Sequence, residues 1–280
     1  MLWRVALGWM IVWVGFGGDA VAGSGCDVVG VDSLRCVVDL GPWDEQGLSH
    51  LIAEAGKVED IGARIGLISE AFLGIPYEGH TLIGDGETPE QFVVHLSGVD
   101  CVTFVDYVVA LAYARDLEGF YNVLRRMRYR NGHVSFLNWN HFFTQWIARN
   151  PEVVDVTDRV GPSVAVEKRL NDRGEGRRWI EGLPVKRRTV RYIPRDHVDG
   201  EVLGRLKTGQ VVGFYTSLPG LDVTHVGVLV RKQKGIAVRH ASTKGTVRED
   251  DFRTYLAKHP RVGWWRRCGA FWKALPRSEV

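Results

Sequence analysis

The sequence predicts an α+β fold, because helical and strand-like patterns occupy separate stretches of the chain. Apolar residues recur at helical spacing at Ile61, Ile65, Ile68 and Phe72, again at Val102, Val105, Val108, Val109 and Ala112, and again at Leu117, Phe120, Leu124 and Met127. Later come the β-branched and apolar runs Val211–Tyr215, Val226–Val230 and Ile236–Val238, which read as consecutive strands. Residues suited to nucleophilic chemistry fall at the ends of these elements.

Met1 to Ala22 has a basic start at Arg4, an apolar stretch from Val5 to Phe16 and the small-residue motif Ala20-Val21-Ala22. This pattern reads as a signal peptide over residues 1–22, which implies export to the periplasm or cell envelope. The apolar stretch is short and interrupted by glycine, so no stable membrane insertion is expected after its removal. Residues 23–45 then form an N-terminal segment, and 46–280 a single catalytic domain. Cys26 and Cys36 flank a turn-prone stretch and suit a small disulfide loop in an oxidising compartment.

The helix over 61–72 is stopped by Gly74 and Pro76. A short apolar run, Phe92 to Leu96, breaks at Ser97-Gly98-Val99, so Asp100 becomes the N-cap of the next helix and Cys101 enters its first turn. There the positive end of the helix dipole is expected to lower the thiol pKa. Backbone N–H groups of the same turn are expected to hold an oxyanion. The plainer readings of Cys101 are a packing residue or a partner of Cys268. Cys268, with Trp264, Trp265, Phe271 and Trp272 near it, reads as a buried residue of a terminal strand instead.

Residues 129–196 read as a large helical and loop insertion that walls one side of a cleft. It contains Asn140, His141 and Trp146, and a locally basic stretch from Arg177 to Arg195 that either meets carboxylates or is a solvated face. Formal net charge is only +3, which does not imply nucleic acid. His225 opens the second strand and His240 closes the third, so two imidazoles at adjacent strand ends can lie side by side. The polar hairpin Arg231 to Gly235 sets their register, and a slip of one residue would turn a side chain away. No His-Glu-x-x-His pair, zinc-type cysteine spacing or phosphate loop stands out, so neither a metal nor a cofactor is expected.

Taken in order, Asp100-Cys101-x-x-Phe104, His225-Val226-Gly227 and His240-Ala241-Ser242 resemble the NlpC/p60 superfamily of cell-wall cysteine hydrolases. Phe72 to Tyr77, Asn138 to Phe143 with Trp146, and Tyr192 to Arg195 narrow the resemblance to its N-acetylmuramoyl-L-alanine amidase-like branch, spanning roughly Ile61 to Phe271. This resemblance implies a papain-like core, with a nucleophile helix packed on an antiparallel sheet. It implies Cys101 as nucleophile, His225 as general base and acid, and His240 as the residue orienting His225. Expected substrate contacts are Tyr77, Asp100, Thr224, Asn140 and His141, with the Tyr77 hydroxyl beside the oxyanion. The implied substrate is peptidoglycan or a muropeptide, cut between N-acetylmuramic acid and L-alanine. Alternatives are cleavage between D-glutamate and the diamino acid, acyl transfer through the same thioester, and wall binding without turnover. Oligomeric state stays open.

Overall fold

The computed structural model describes residues 36–258 and 269–274. The expected signal peptide, Cys26 and Cys268 lie outside these residues. Cys36 is disulfide-bonded, whereas Cys101 carries a free thiol.

Strand β1 (Cys36–Asp39) leads into helices α1 (Glu45–Gly56) and α2 (Ile61–Ala71). Both helices start where an aspartate can serve as cap: Asp44 accepts from the Gly47 N–H and Asp60 from the Ala63 N–H. After α2 the backbone turns through Gly74 at φ +90°, a left-handed conformation that ends the helix as expected. Strand β2 (Phe92–His95) pairs in parallel with β1 and delivers the chain to α3 (Cys101–Tyr113). Every residue of α3 from Thr103 to Ala112 is buried, so it forms the centre of the helical layer. Helix α4 (Leu117–Arg128) is amphipathic and buries Phe120, Tyr121, Leu124 and Met127 against it.

Residues 129–196 correct the sequence-based expectation of a helical and loop insertion. They hold helices α5 (Phe143–Arg149) and α6 (Thr157–Val160), but also strands β3 (Val154–Asp155), β4 (Val164–Leu170), β5 (Asp172–Gly174), β6 (Arg177–Arg178) and β7 (Lys186–Pro194). Strands β4 and β7 form a seven-residue antiparallel register, Val164 opposite Tyr192 through Leu170 opposite Lys186. Their alternation is hidden in sequence by charge. Lys168 occupies an inward position, where its ammonium donates to the carbonyls of Thr216 (3.1 Å) and Leu218 (2.6 Å), and Lys186, Arg187 and Arg188 crowd the start of β7.

Helix α7 (Gly200–Arg205) precedes the strands β8 (Val211–Tyr215), β9 (Val223–Lys232), β10 (Gly235–Ala241) and β11 (Val247–Asp251), followed by helix α8 (Phe252–Lys258) and strand β12 (Gly269–Ala274). The main sheet runs β11-β10-β9-β8-β12-β7-β4, with β3 attached to β12, and its pairs are antiparallel. The fold is therefore α+β.

Period-2 alternation gives this sheet two dry faces. Val226, Val228, Val230 and Ala241 join the core of α1 to α4. Leu229, Ile236 and Val238 face the other way, onto Phe252, Tyr255 and Leu256 of α8.

Two buried guanidinium groups tie the helical layer together. Arg128 at the end of α4 pairs with Asp106 of α3 at 3.2 Å and donates to the Val93 carbonyl of β2 at 2.6 Å. Arg239 of β10 reaches into α2, donating to the Gly66 carbonyl (2.5 Å) and the Ser69 hydroxyl (3.0 Å), and pairs with Glu249 of β11 at 2.6 Å. Among the described residues, no helix is long and apolar enough to cross a membrane.

Candidate active site

The start of α3 is built around Asp100. One carboxylate oxygen accepts from the backbone N–H groups of Val102 (2.9 Å) and Thr103 (2.8 Å), while the Thr103 hydroxyl accepts from the Asp100 N–H at 2.9 Å. This reciprocal capping box fixes Cys101 as the first helical residue. It also revises one expectation about the turn. Val102 and Thr103 give their N–H groups to the cap and Phe104 gives its own to the Asp100 carbonyl, so the amide of Cys101 itself is the donor of that turn not drawn into capping.

The Cys101 thiol borders a cavity of about 120 Å³. Val105, Val223, Val226, Trp139, Phe143 and Trp146 make much of its wall apolar, with His225, Thr224, Asn140, His141 and Asp222 as polar members. Two details set this shape. The buried Asp222 carboxylate accepts from the Thr144 N–H and hydroxyl, both at 2.7 Å, which fastens the first turn of α5 beside β9. Gly213 of β8 lets the Phe143 ring lie on the sheet, since a Cβ there would stand 2.7 Å from the ring.

Desolvation by this lining dominates the thiol. Burial and the neighbouring Asp100 carboxylate push Cys101 up to about 12, against backbone hydrogen bonds from Val226, Cys101 and Val102 that favour the thiolate. The expectation of a pKa lowered by the helix start is thereby corrected: the local N–H groups act in the predicted direction and are outweighed.

His225 sits near the start of β9 and lines the same cavity as Cys101. Its Nε2 lies 2.9 Å from Nδ1 of His240 on β10, and the two rings meet edge to face at 90°. The hairpin closes with Gly235 opposite Lys232, a register that keeps both rings on one face. Gly227 makes the approach possible. A Cβ at that position would stand 2.8 Å from the Arg239 carbonyl oxygen and 3.2 Å from the His240 Cβ, so any larger residue pushes β10 away.

Beyond His240 stands a residue that the sequence did not single out. Asp250 of β11 brings Oδ2 to 3.0 Å from His240 Nε2, and its Oδ1 takes a 2.5 Å bond from Arg248. Burial would raise this carboxyl, but the hydrogen bonds from Arg248 and His240 prevail and hold it below the usual carboxylate range. The Tyr255 ring packs edge-on to His240, 4.8 Å between centroids, and covers the pair from α8. The register of β11 puts Arg248 and Asp250 on the face that carries His240; in sequence the uniformly charged run Arg248 to Asp251 carries no alternation that marks Asp250 out.

The other predicted site residues divide into two groups. Thr224, Asn140 and His141 line the cavity; Tyr77 and Asp100 stand outside its lining. Asn140 is committed at both ends, donating to the Met127 carbonyl and accepting from Arg149, each at 2.8 Å. His141 donates from Nε2 to the Phe136 carbonyl at 2.6 Å, and burial drives its pKa down to about 4, so it is neutral at pH 7. Tyr77 is pinned by its N–H to the Gly245 carbonyl at 2.7 Å and by a bridge to Val99. Burial and the nearby Cys101 and Asp100 raise its phenol, which stays a donor.

A family model described as AmiA-like, N-acetylmuramoyl-L-alanine amidase-like, matches residues 67–263. No curated protein matches the chain. Among solved structures it is similar to a protein from Legionella pneumophila, at 21% identity and a TM-score of 0.70, over 84% of this chain and 96% of that one. It is also similar to an N-acetylmuramoyl-L-alanine amidase from Bacteroides uniformis, at 23% identity and a TM-score of 0.65, over 77% of this chain and 99% of that one. At these identities the likeness to solved structures speaks for the fold.

Proposed function

The chain belongs to the N-acetylmuramoyl-L-alanine amidase-like family, and from that premise we propose that it is an exported peptidoglycan hydrolase that cuts the amide between N-acetylmuramic acid and L-alanine with Cys101 as nucleophile. In this proposal the helical layer on an antiparallel sheet is the papain-like core of the NlpC/p60 superfamily, and residues 129–196 are its insertion. The observation that carries the proposal is the file of hydrogen-bonded groups Asp250, His240 and His225, which ends in the cavity bordered by a free thiol at a capped helix start.

With Nε2 of His225 engaged by His240, Nδ1 is the nitrogen that serves the sulfur. Cys101 Sγ attacks the lactyl carbonyl carbon as its proton passes to His225 Nδ1, and the carbonyl π pair moves onto oxygen. The Cys101 N–H and the Tyr77 hydroxyl are the donors assigned to that oxyanion. When the oxyanion collapses, the C–N bond breaks and the imidazolium proton goes to the departing alanine nitrogen, leaving a lactyl thioester on Cys101. Water then adds to the thioester while His225 takes its proton, and the thiol is regenerated. A thiol held protonated by burial fits this order, because the base removes the proton during attack.

Choice of bond follows the family and the name of the Bacteroides uniformis relative. The apolar part of the cavity wall beside the sulfur suits small apolar groups such as the lactyl and alanyl methyls. Export agrees with the leader-like residues 1–22 and with the disulfide at Cys36, which suits an oxidising compartment. Digestion of purified muropeptides followed by mass spectrometry tests the proposal. Expected products are sugar lacking peptide and free stem peptide beginning with L-alanine, both absent with Cys101→Ala. Products retaining L-Ala-D-Glu on the sugar assign the endopeptidase reaction instead, and full activity of Cys101→Ala removes the nucleophile.

A further inference from the structure

The hydrogen-bond file dictates where each proton sits. An ionised Asp250 carboxylate can only accept, so His240 must donate from Nε2 across the 3.0 Å contact. Neutral His240 then carries its lone pair on Nδ1, and the 2.9 Å contact requires His225 to donate from Nε2. The result is a neutral His225 with an unprotonated Nδ1, the form that can accept a proton from a thiol. Reversing the first bond reverses all of it: His240 protonated on Nδ1 would force His225 to accept at Nε2 and to present N–H toward the sulfur.

We propose that Asp250 is a positioning residue that fixes the tautomers of both His240 and His225, held in place by Arg248. This inference rests on the proposed roles of Cys101 and His225 and adds a member two rings removed from the reacting atoms. The strand register accounts for it. Arg248 lies directly opposite His240, and Asp250 lies opposite Val238, two positions along on the same face. Arg248 and His240 thus grip the two oxygens of one carboxylate. The Tyr255 ring shields His240 at 4.8 Å, and His240 itself is 3% exposed, so bulk water is a poor substitute acceptor. When His225 takes the thiol proton, the same file leads from the new imidazolium to a carboxylate, which favours the charged state.

The test compares the wild-type chain with Asp250→Ala, Asp250→Asn and Asp250→Glu, with Cys101→Ala as control. Nitrogen-15 shifts of the two imidazoles in the free protein read the tautomers without substrate. The expected wild-type pattern is Nε2–H with unprotonated Nδ1 on both rings, replaced by a mixture in Asp250→Ala and Asp250→Asn and recovered in Asp250→Glu. Turnover of muropeptide is expected to fall about tenfold to hundredfold in kcat with KM within about twofold, and to return in part with Asp250→Glu. Unchanged tautomers in both Asp250→Ala and Asp250→Asn, with kcat within about twofold of wild type, overturn the inference. The isosteric Asn variant keeps the test open should Ala disturb β11. A Cys101→Ala protein that still hydrolyses muropeptide defeats the nucleophile assignment instead, while the imidazole shifts still decide the role of Asp250.

Discussion

Cys101 shows how two correct arguments about one atom can point in opposite directions. Its place at the first turn of α3 does give the sulfur backbone hydrogen bonds that favour charge, but the apolar walls of the cavity and the Asp100 carboxylate favour the neutral thiol and prevail. A pKa raised to about 12 means less thiolate at pH 7 than in a free cysteine. Alkylation of the substrate-free protein by iodoacetamide is therefore expected to be slow at pH 7 and to rise about tenfold per pH unit up to pH ~9.5. A rate that levels off below pH 8 would mean that the thiolate forms without help from substrate. His141 is the complementary case. Buried and neutral, it donates to the Phe136 carbonyl and shapes the cavity wall, and the proposed mechanism accordingly assigns proton transfer to the imidazoles on the sheet.

Strands β9, β10 and β11 convert residue chemistry into geometry. Arg239 and His240 are neighbours that point to opposite faces: one anchors β10 to α2 from within the core, and the other meets His225. The spacing between β9 and β10 at the imidazoles depends on Gly227. Gly227→Ala places a methyl group 2.8 Å from the Arg239 carbonyl oxygen, a backbone atom that can yield only if β10 moves. The expected outcome is a loss of ~1–3 kcal/mol, read from the urea midpoint, with a fall in kcat larger than the population of unfolded protein explains. A variant with wild-type midpoint and wild-type kcat would show that the approach of the two strands is not critical.

At the scale of the whole molecule, the parts legible in sequence are those whose periodicity is uninterrupted. The helices over 61–71, 101–113 and 117–128 and the strands at 211–215, 223–232 and 235–241 follow from apolar spacing, and the Asp100 cap from a turn signal before such a stripe. His225 and His240 were legible for the same reason, as imidazoles at the ends of the apolar runs Val226–Val230 and Ile236–Val238. Strands β4 and β7 were not, because the inward Lys168 and the run Lys186 to Arg188 break the alternation that marks a strand. Asp250 was hidden likewise. It belongs to the charged sequence Val247-Arg-Glu-Asp-Asp251, which resembles a solvated edge until pairing with β10 shows that one of its carboxylates faces a buried imidazole.

If Cys101 is the nucleophile, a covalent intermediate on its sulfur must form during turnover. Wild-type protein mixed with a muropeptide and quenched in acid within milliseconds is digested and the Cys101 peptide is weighed. The expected adduct equals the sugar with its lactyl group and no amino acid. An adduct that includes L-Ala-D-Glu, or an unmodified Cys101 peptide during rapid turnover with the adduct on another residue, would contradict it.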